Sequence, residues 1–255
     1  MANDVPSNET QTSMTRRVLL SVVTGTVLIF IAHAGTTISS AAQNNSSNVM
    51  LINDGDSLST TFGSSDRKTF MLYALSALTP VPRSANVAIN GETLATMASD
   101  FSAHVGALYD PKYRFIVHIL AGTNDIRAAS SAATIYSLLQ SYVNDVHALG
   151  SNAKVIVGVN LVQCDIYNRA NELGVLEALN AHIIAGWNVA QGSGGLGADG
   201  IADYWTNTTI GPGNYNGSTF CNYPNTYSKD GAHSTDLSMS IMGSIEAAAV
   251  QRLLP

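Results

Sequence analysis

Three runs of branched apolar residues, Val49 to Ile52, Val87 to Ile89 and Phe115 to Leu120, each give way to a short polar island. The islands are Gly55-Asp56-Ser57-Leu58, Asn90-Gly91 and Gly122-Thr123-Asn124-Asp125. Short apolar runs bounded by turn residues predict buried strands, here Val49 to Asn53, Val87 to Asn90 and Phe115 to Ala121. Lys154 to Leu161 and the shorter Ile201 to Tyr204 continue the series. Helical patterns fill the gaps at about Glu92 to His104, Ala129 to Leu149, Asn171 to Val189 and Thr235 to Leu253, the last capped by Ser234 or Thr235. Strand and helix in alternation predict an α/β fold with a parallel sheet covered on both faces. Two long stretches, Thr60 to Arg83 and Thr206 to Lys229, fall outside the alternation and are expected to be loops. The second is rich in Asn, Gly and Tyr and precedes a fourth island, Asp230-Gly231-Ala232-His233, which makes it a candidate wall of a substrate site.

Composition narrows the class. The 255 residues are 45% hydrophobic and 12% charged, ample for one sizeable core, and a single domain is expected over residues 43–255. The net charge is -6, and no Lys/Arg cluster exists beyond Arg16-Arg17, which excludes a nucleic-acid partner. Residues 1–42 have the layout of an export signal: a polar stretch, Arg16-Arg17, the apolar run Val18 to Ala32, then small residues. Ala32-His33-Ala34 and Ser40-Ala41-Ala42 both offer a cleavage pattern, near residue 34 or 42, and the paired arginines also resemble a twin-arginine signal. The run is interrupted by Thr24, Gly25 and Thr26, so cleavage is expected and no stable membrane span after it. The expected location is secreted, periplasmic or at the cell surface. Export places Cys164 and Cys221 in an oxidising compartment, where they are expected to pair, each from a loop.

The four islands hold the parts of acyl-transfer chemistry. Ser57 follows a strand in a glycine-containing turn, where a hydroxyl can meet both a base and an acyl group, although a serine there also serves as a helix cap. Gly91 can offer a backbone N–H and Asn124 a side-chain amide to an oxyanion, while each island alone is an ordinary turn. Of six histidines, His33 lies in the leader; His104 and His147 read as surface residues, and His118 and His182 as structural ones. His233 stands apart because Asp230, three residues earlier, can accept from Nδ1–H and leave Nε2 free to act as a base. An Asx-turn with a solvated histidine is the alternative at that position. The Gly-x-Ser-x-Gly elbow of the α/β-hydrolases is absent from the chain.

With all four islands in order, the stretch from Val49 to Leu253 resembles the SGNH hydrolases, also called GDSL esterases/lipases. The resemblance implies a flavodoxin-like three-layer α/β/α sandwich with a five-stranded parallel sheet. It also implies a Ser57, His233, Asp230 triad, and an oxyanion hole from the Ser57 and Gly91 backbone and the Asn124 side chain. The function expected is hydrolysis of carboxylic esters of small acyl groups, acylated carbohydrates or lipids through an acyl-enzyme, with a small-molecule ester as partner and with neither metal nor cofactor. A non-catalytic acyl- or carbohydrate-binding module on the same fold is the alternative. Asp54, Asp56 and Asp125 would supply a metal hydrolase but also fit turn chemistry. Trp205, Tyr215, Tyr223 and Tyr227 are candidates to stack on a sugar ring or to pack.

Overall fold

Five parallel strands form one sheet in the order β2-β1-β3-β4-β5 in a computed structural model that describes residues 48–161, 163–212 and 226–254. The strands are β1 (Val49–Gly55), β2 (Arg83–Asn86), β3 (Arg114–Leu120), β4 (Ala153–Val159) and β5 (Gly200–Asp203). The chain divides after Ile31, and every described residue belongs to the unit Ala32–Pro255. The leader and its cleavage sites lie outside the described residues, as do Tyr215, Cys221 and Tyr223.

Successive side chains of a strand point to opposite faces, and β3 shows the result. Phe115, Val117 and Ile119 join one buried cluster with α2 (Leu94–His104), α4 (Ala132–Leu149) and α6 (Ala170–Gly186). Ile116 and Leu120 join the other with α1 (Phe70–Ala77) and α7 (Asp236–Gln251). Burial on both faces is why the central strands read as continuous apolar runs rather than alternating ones. The product is a three-layer α/β/α sandwich, as expected. Two short helices, α3 (Thr123–Arg127) and α5 (Cys164–Tyr167), complete the description.

Several boundaries differ from the sequence reading. β2 is Arg83–Asn86, earlier than the Val87 to Asn90 expected. It is an edge strand that buries only Ala85, so it needs no apolar run. Val87 and Ile89 nevertheless keep donating to β1, to the Asn53 and Gly55 carbonyls at 2.9 and 3.0 Å, as the chain leaves the sheet. Helix α1 lies inside the expected loop Thr60 to Arg83. Its Phe70-Met71-Leu72-Tyr73-Ala74-Leu75 run is apolar all round, so it has no helical period to detect, although Thr69 caps it. The helix expected over Ala129 to Leu149 begins later, at Ala132: Ala129 has φ +62° between α3 and α4, and Ser131 caps α4. Thr235 caps α7, one of the two residues expected to.

Candidate active site

The order β2-β1-β3-β4-β5 reverses direction between β1 and β3, the switch point at whose carboxyl edge open α/β sheets bind ligands. Ser57 follows β1 and Asn124 follows β3 at that edge. Gly55 ends β1 at φ +149°, and a Cβ there would lie 2.2 Å from the Leu120 carbonyl oxygen, so only glycine lets the two strand ends approach this closely. Asp56 then caps a single 3-10 turn, Ser57–Ser59. Its Oδ1 accepts from the Leu58 N–H at 2.9 Å and its Oδ2 from the Thr123 hydroxyl at 2.6 Å. Burial pushes the Asp56 carboxyl pKa up, opposed by these two hydrogen bonds. The cap of this turn is therefore Asp56, which leaves the Ser57 hydroxyl uncommitted to the backbone.

That hydroxyl lies 3.0 Å from His233 Nε2, and His233 Nδ1 lies 2.8 Å from Asp230 Oδ2. The other Asp230 oxygen accepts from the Ala232 and His233 N–H groups at 3.0 and 2.8 Å. The Asx-turn weighed as an alternative is thus present, and it is the device that orients the histidine. Burial alone would raise the Asp230 pKa, but the hydrogen bonds from the His233 backbone, its ring and Ala232 together hold it below the usual value. An ionised carboxylate only accepts, so Nδ1 carries the proton and Nε2 of the neutral ring accepts from Ser57. Neighbouring segments wedge the loop in place. Gly63 runs so close beneath it that a Cβ would sit 2.2 Å from the Ser234 carbonyl oxygen. The Cys164 N–H donates to the Gly231 carbonyl at 2.6 Å, and the exposed Phe62 ring lies 4.3 Å from the imidazole.

The candidate oxyanion donors are the Ser57 and Gly91 N–H groups and the Asn124 amide. Among the described residues, neither the Ser57 nor the Gly91 N–H donates to a protein acceptor. Gly91 takes φ +79°, in the left-handed region. The Asn124 amide donates to the Glu92 carbonyl at 2.9 Å and makes a longer contact of 3.4 Å with Asp56 Oδ2. Its Oδ1 accepts from Arg127 at 3.2 Å, and Arg127 is itself held by Asp165 and Gln163. Arg127 is three residues beyond Asn124 on α3, the one signal by which the sequence could have revealed it. Thr60 was also missed; its hydroxyl bridges the Ser57 carbonyl and Asn90 Oδ1 at 3.0 and 2.8 Å.

The remaining candidates separate cleanly. His118 is fully buried, with its pKa pushed down to about 3 by burial, and contacts Asn53 and Tyr204. His147 pairs with Asp199 at 2.8 Å. Asp54, Asp56 and Asp125 do not converge on a common point: Asp54 bonds Tyr142 and Gly55, and Asp125 caps Leu94. Trp205 and Tyr227 pack against opposite cores, which fits packing rather than stacking on a ligand. Cys164 is disulfide-bonded and opens helix α5 rather than lying in a loop, while its expected partner Cys221 is outside the described residues.

Against known families, residues 55–192 match the GDSL-like Lipase/Acylhydrolase family. The chain belongs to that family. Solved structures share the fold of this GDSL-like chain at low identity. A lipase/acylhydrolase from Enterococcus faecalis is 13% identical with a TM-score of 0.56, over 81% of this chain and 97% of that one. A member of the lipolytic G-D-S-L family from Veillonella parvula is 16% identical with a TM-score of 0.59, over 80% and 99%. An acetyl xylan esterase from Geobacillus stearothermophilus is 14% identical with a TM-score of 0.53, over 81% and 94%. No curated protein sequence matches the chain.

Proposed function

We propose that this GDSL-like hydrolase is an exported serine esterase that cleaves carboxylic esters through an acyl-enzyme. The observation that carries the reading is the continuous contact from Ser57 Oγ to His233 Nε2 at 3.0 Å and from His233 Nδ1 to Asp230 at 2.8 Å. Ser57 Oγ attacks the acyl carbon while its proton passes to His233 Nε2. The Ser57 and Gly91 N–H groups and the Asn124 amide receive the oxyanion, with Asn124 giving up its long contact to Asp56 as it does so. Collapse expels the alcohol, which takes the proton from His233. Water deprotonated by His233 then cleaves the acyl-enzyme, releasing the acid and restoring Ser57.

Export is supported by the layout of residues 1–42, and no helix among the described residues is long and apolar enough to cross a membrane. The substrate class is carboxylic esters; the acetyl xylan esterase among the structural neighbours makes acetylated saccharides a natural member of the panel. A p-nitrophenyl ester series of increasing chain length and acetylated saccharides should show turnover that a serine-directed fluorophosphonate blocks. Absence of both turnover and labelling on folded protein would sink the reading in favour of a ligand-binding module.

A further inference from the structure

Glu92 adjoins Gly91, exposes 6% of its surface, and has both carboxylate oxygens buried with no hydrogen-bond partner among the described residues. A buried polar group left unpaired is costly, and a buried charge far more so. Asp100 and His104 lie on α2 at i and i+4, a spacing that puts both on one helix face. One donor atom from each of Glu92, Asp100 and His104 lies within 4.8 Å of the other two. Ligand atoms around a tetrahedral ion with bonds of 2.0–2.2 Å stand about 3.4 Å apart, so small side-chain rotations close the set.

We propose that Glu92, Asp100 and His104 form a binding site for a divalent cation of the Zn²⁺ class, with the fourth position left to water. An imidazole with carboxylates suits a borderline cation better than the all-oxygen preference of Ca²⁺ or Mg²⁺. The ion gives the stranded Glu92 oxygens a partner and offsets the repulsion between Glu92 and Asp100, to which Asp54 adds. Asp100 and His104 are half-buried, which leaves a route in from solvent. The site is distinct from Ser57 and His233. Its link to them is structural, because the Glu92 carbonyl accepts from the Asn124 amide at 2.9 Å and Glu92 follows Gly91 directly. A cation there anchors the segment that carries the Gly91 N–H and takes no part in proton transfer.

Binding can be tested without turnover, so its outcome is separable from that of the esterase reading. Full-chain protein dialysed against a chelator is titrated with Zn²⁺ by calorimetry and melted with and without the ion. The expected result is one equivalent bound, a reversible rise in Tm, and a loss of affinity in both Asp100→Asn and His104→Gln. Each loss should at least match the roughly 10–100-fold that removal of an outer-shell partner costs. Both residues are half-buried, and retained fluorophosphonate labelling, or an unchanged ion-free melt, certifies the fold of each variant. No stoichiometric binding by the wild type would overturn the proposal. So would Zn²⁺ binding that survives both substitutions, or a preference for Ca²⁺ that ignores His104→Gln.

Discussion

The serine end and the histidine end of the site are held by different means. Around Ser57 the supports are buried polar groups drawn from several strand ends. Asp56 ties Leu58 to Thr123, and Asn53 and Asn86 both donate to the Ser59 carbonyl, at 3.1 and 2.9 Å. The contacts from Thr123 and Asn86 are long-range and those from Leu58 and Asn53 are local, so the turn is determined several times over. Around His233 the orientation comes from one side chain three residues away, with Asp230 closing the turn and fixing the ring together. What wedges that loop against the sheet is the close passage of Gly63 and the bond from Cys164 to Gly231. The serine end should therefore fail through lost chemistry and the histidine end through lost position.

Ser57→Ala should cost the most. Loss of the nucleophile in a triad enzyme lowers kcat by about 10⁶, and the melt should stay unchanged because the cap is Asp56. Initial rates and fluorophosphonate labelling check this; residual activity above about a hundredth of wild type is incompatible with an essential nucleophile. Asp230→Asn comes next, at about 10⁴ in kcat, because an amide at this position admits the wrong ring tautomer. It also tests the contrast directly, since Oδ1 closes the turn and only Oδ2 meets the ring, and an amide keeps the first: a smaller effect would mean that the closed turn aims the ring without the Oδ2 charge.

Asn124→Ala should lower kcat by about 10²–10³ with little change in KM, as expected of a donor engaged only with developing charge. Steady-state kinetics separate the two parameters, and a change confined to KM would remove Asn124 from the oxyanion hole. Gly63→Ala should cost about 10–100-fold in kcat by pushing His233 off line, because a Cβ there also lies 3.0 Å from His233 Cβ. Fluorophosphonate labelling should slow in proportion. Normal kinetics in this variant would show that the loop yields without moving its base.

The smallest effect on activity, close to none, is expected for Glu246→Gln, far from both ends. Glu246 is wholly buried in α7, and burial pushes its pKa up to about 8. The folded state keeps its proton where the unfolded chain, near 4.5, has lost it. Stability is therefore lost as pH rises from about 4.5 to about 8, at about 1.4 kcal/mol per pH unit for one proton. Melts of wild type and variant across that range should diverge steadily, the variant gaining as pH rises; parallel curves would show that the carboxyl is not held protonated.

Much of this architecture is legible in the chain. The runs Val49 to Ile52 and Phe115 to Leu120 announce β1 and β3 because both their faces are buried, and the islands after them hold Ser57 and Asn124. The pair Asp230 and His233 is legible for a similar reason, since its interaction is local. Helix α1 is not legible because apolar residues on every side erase the periodicity even though only one face is buried, and β2 is displaced because an edge strand needs little apolar surface.

Short-range pattern thus determined the strand ends, the residue types at them and the local turn that aims His233. Tertiary structure alone decided what crosses between elements. It set the 3.0 Å approach of His233 to Ser57 across 176 residues of chain, and the hold of Arg127 and Asp165 on Asn124. It also gathered Glu92 with Asp100 and His104. Spacing carries information about contacts only within a turn or two of helix or strand; beyond that, the parallel order of the sheet and its two helical layers dictate which side chains meet.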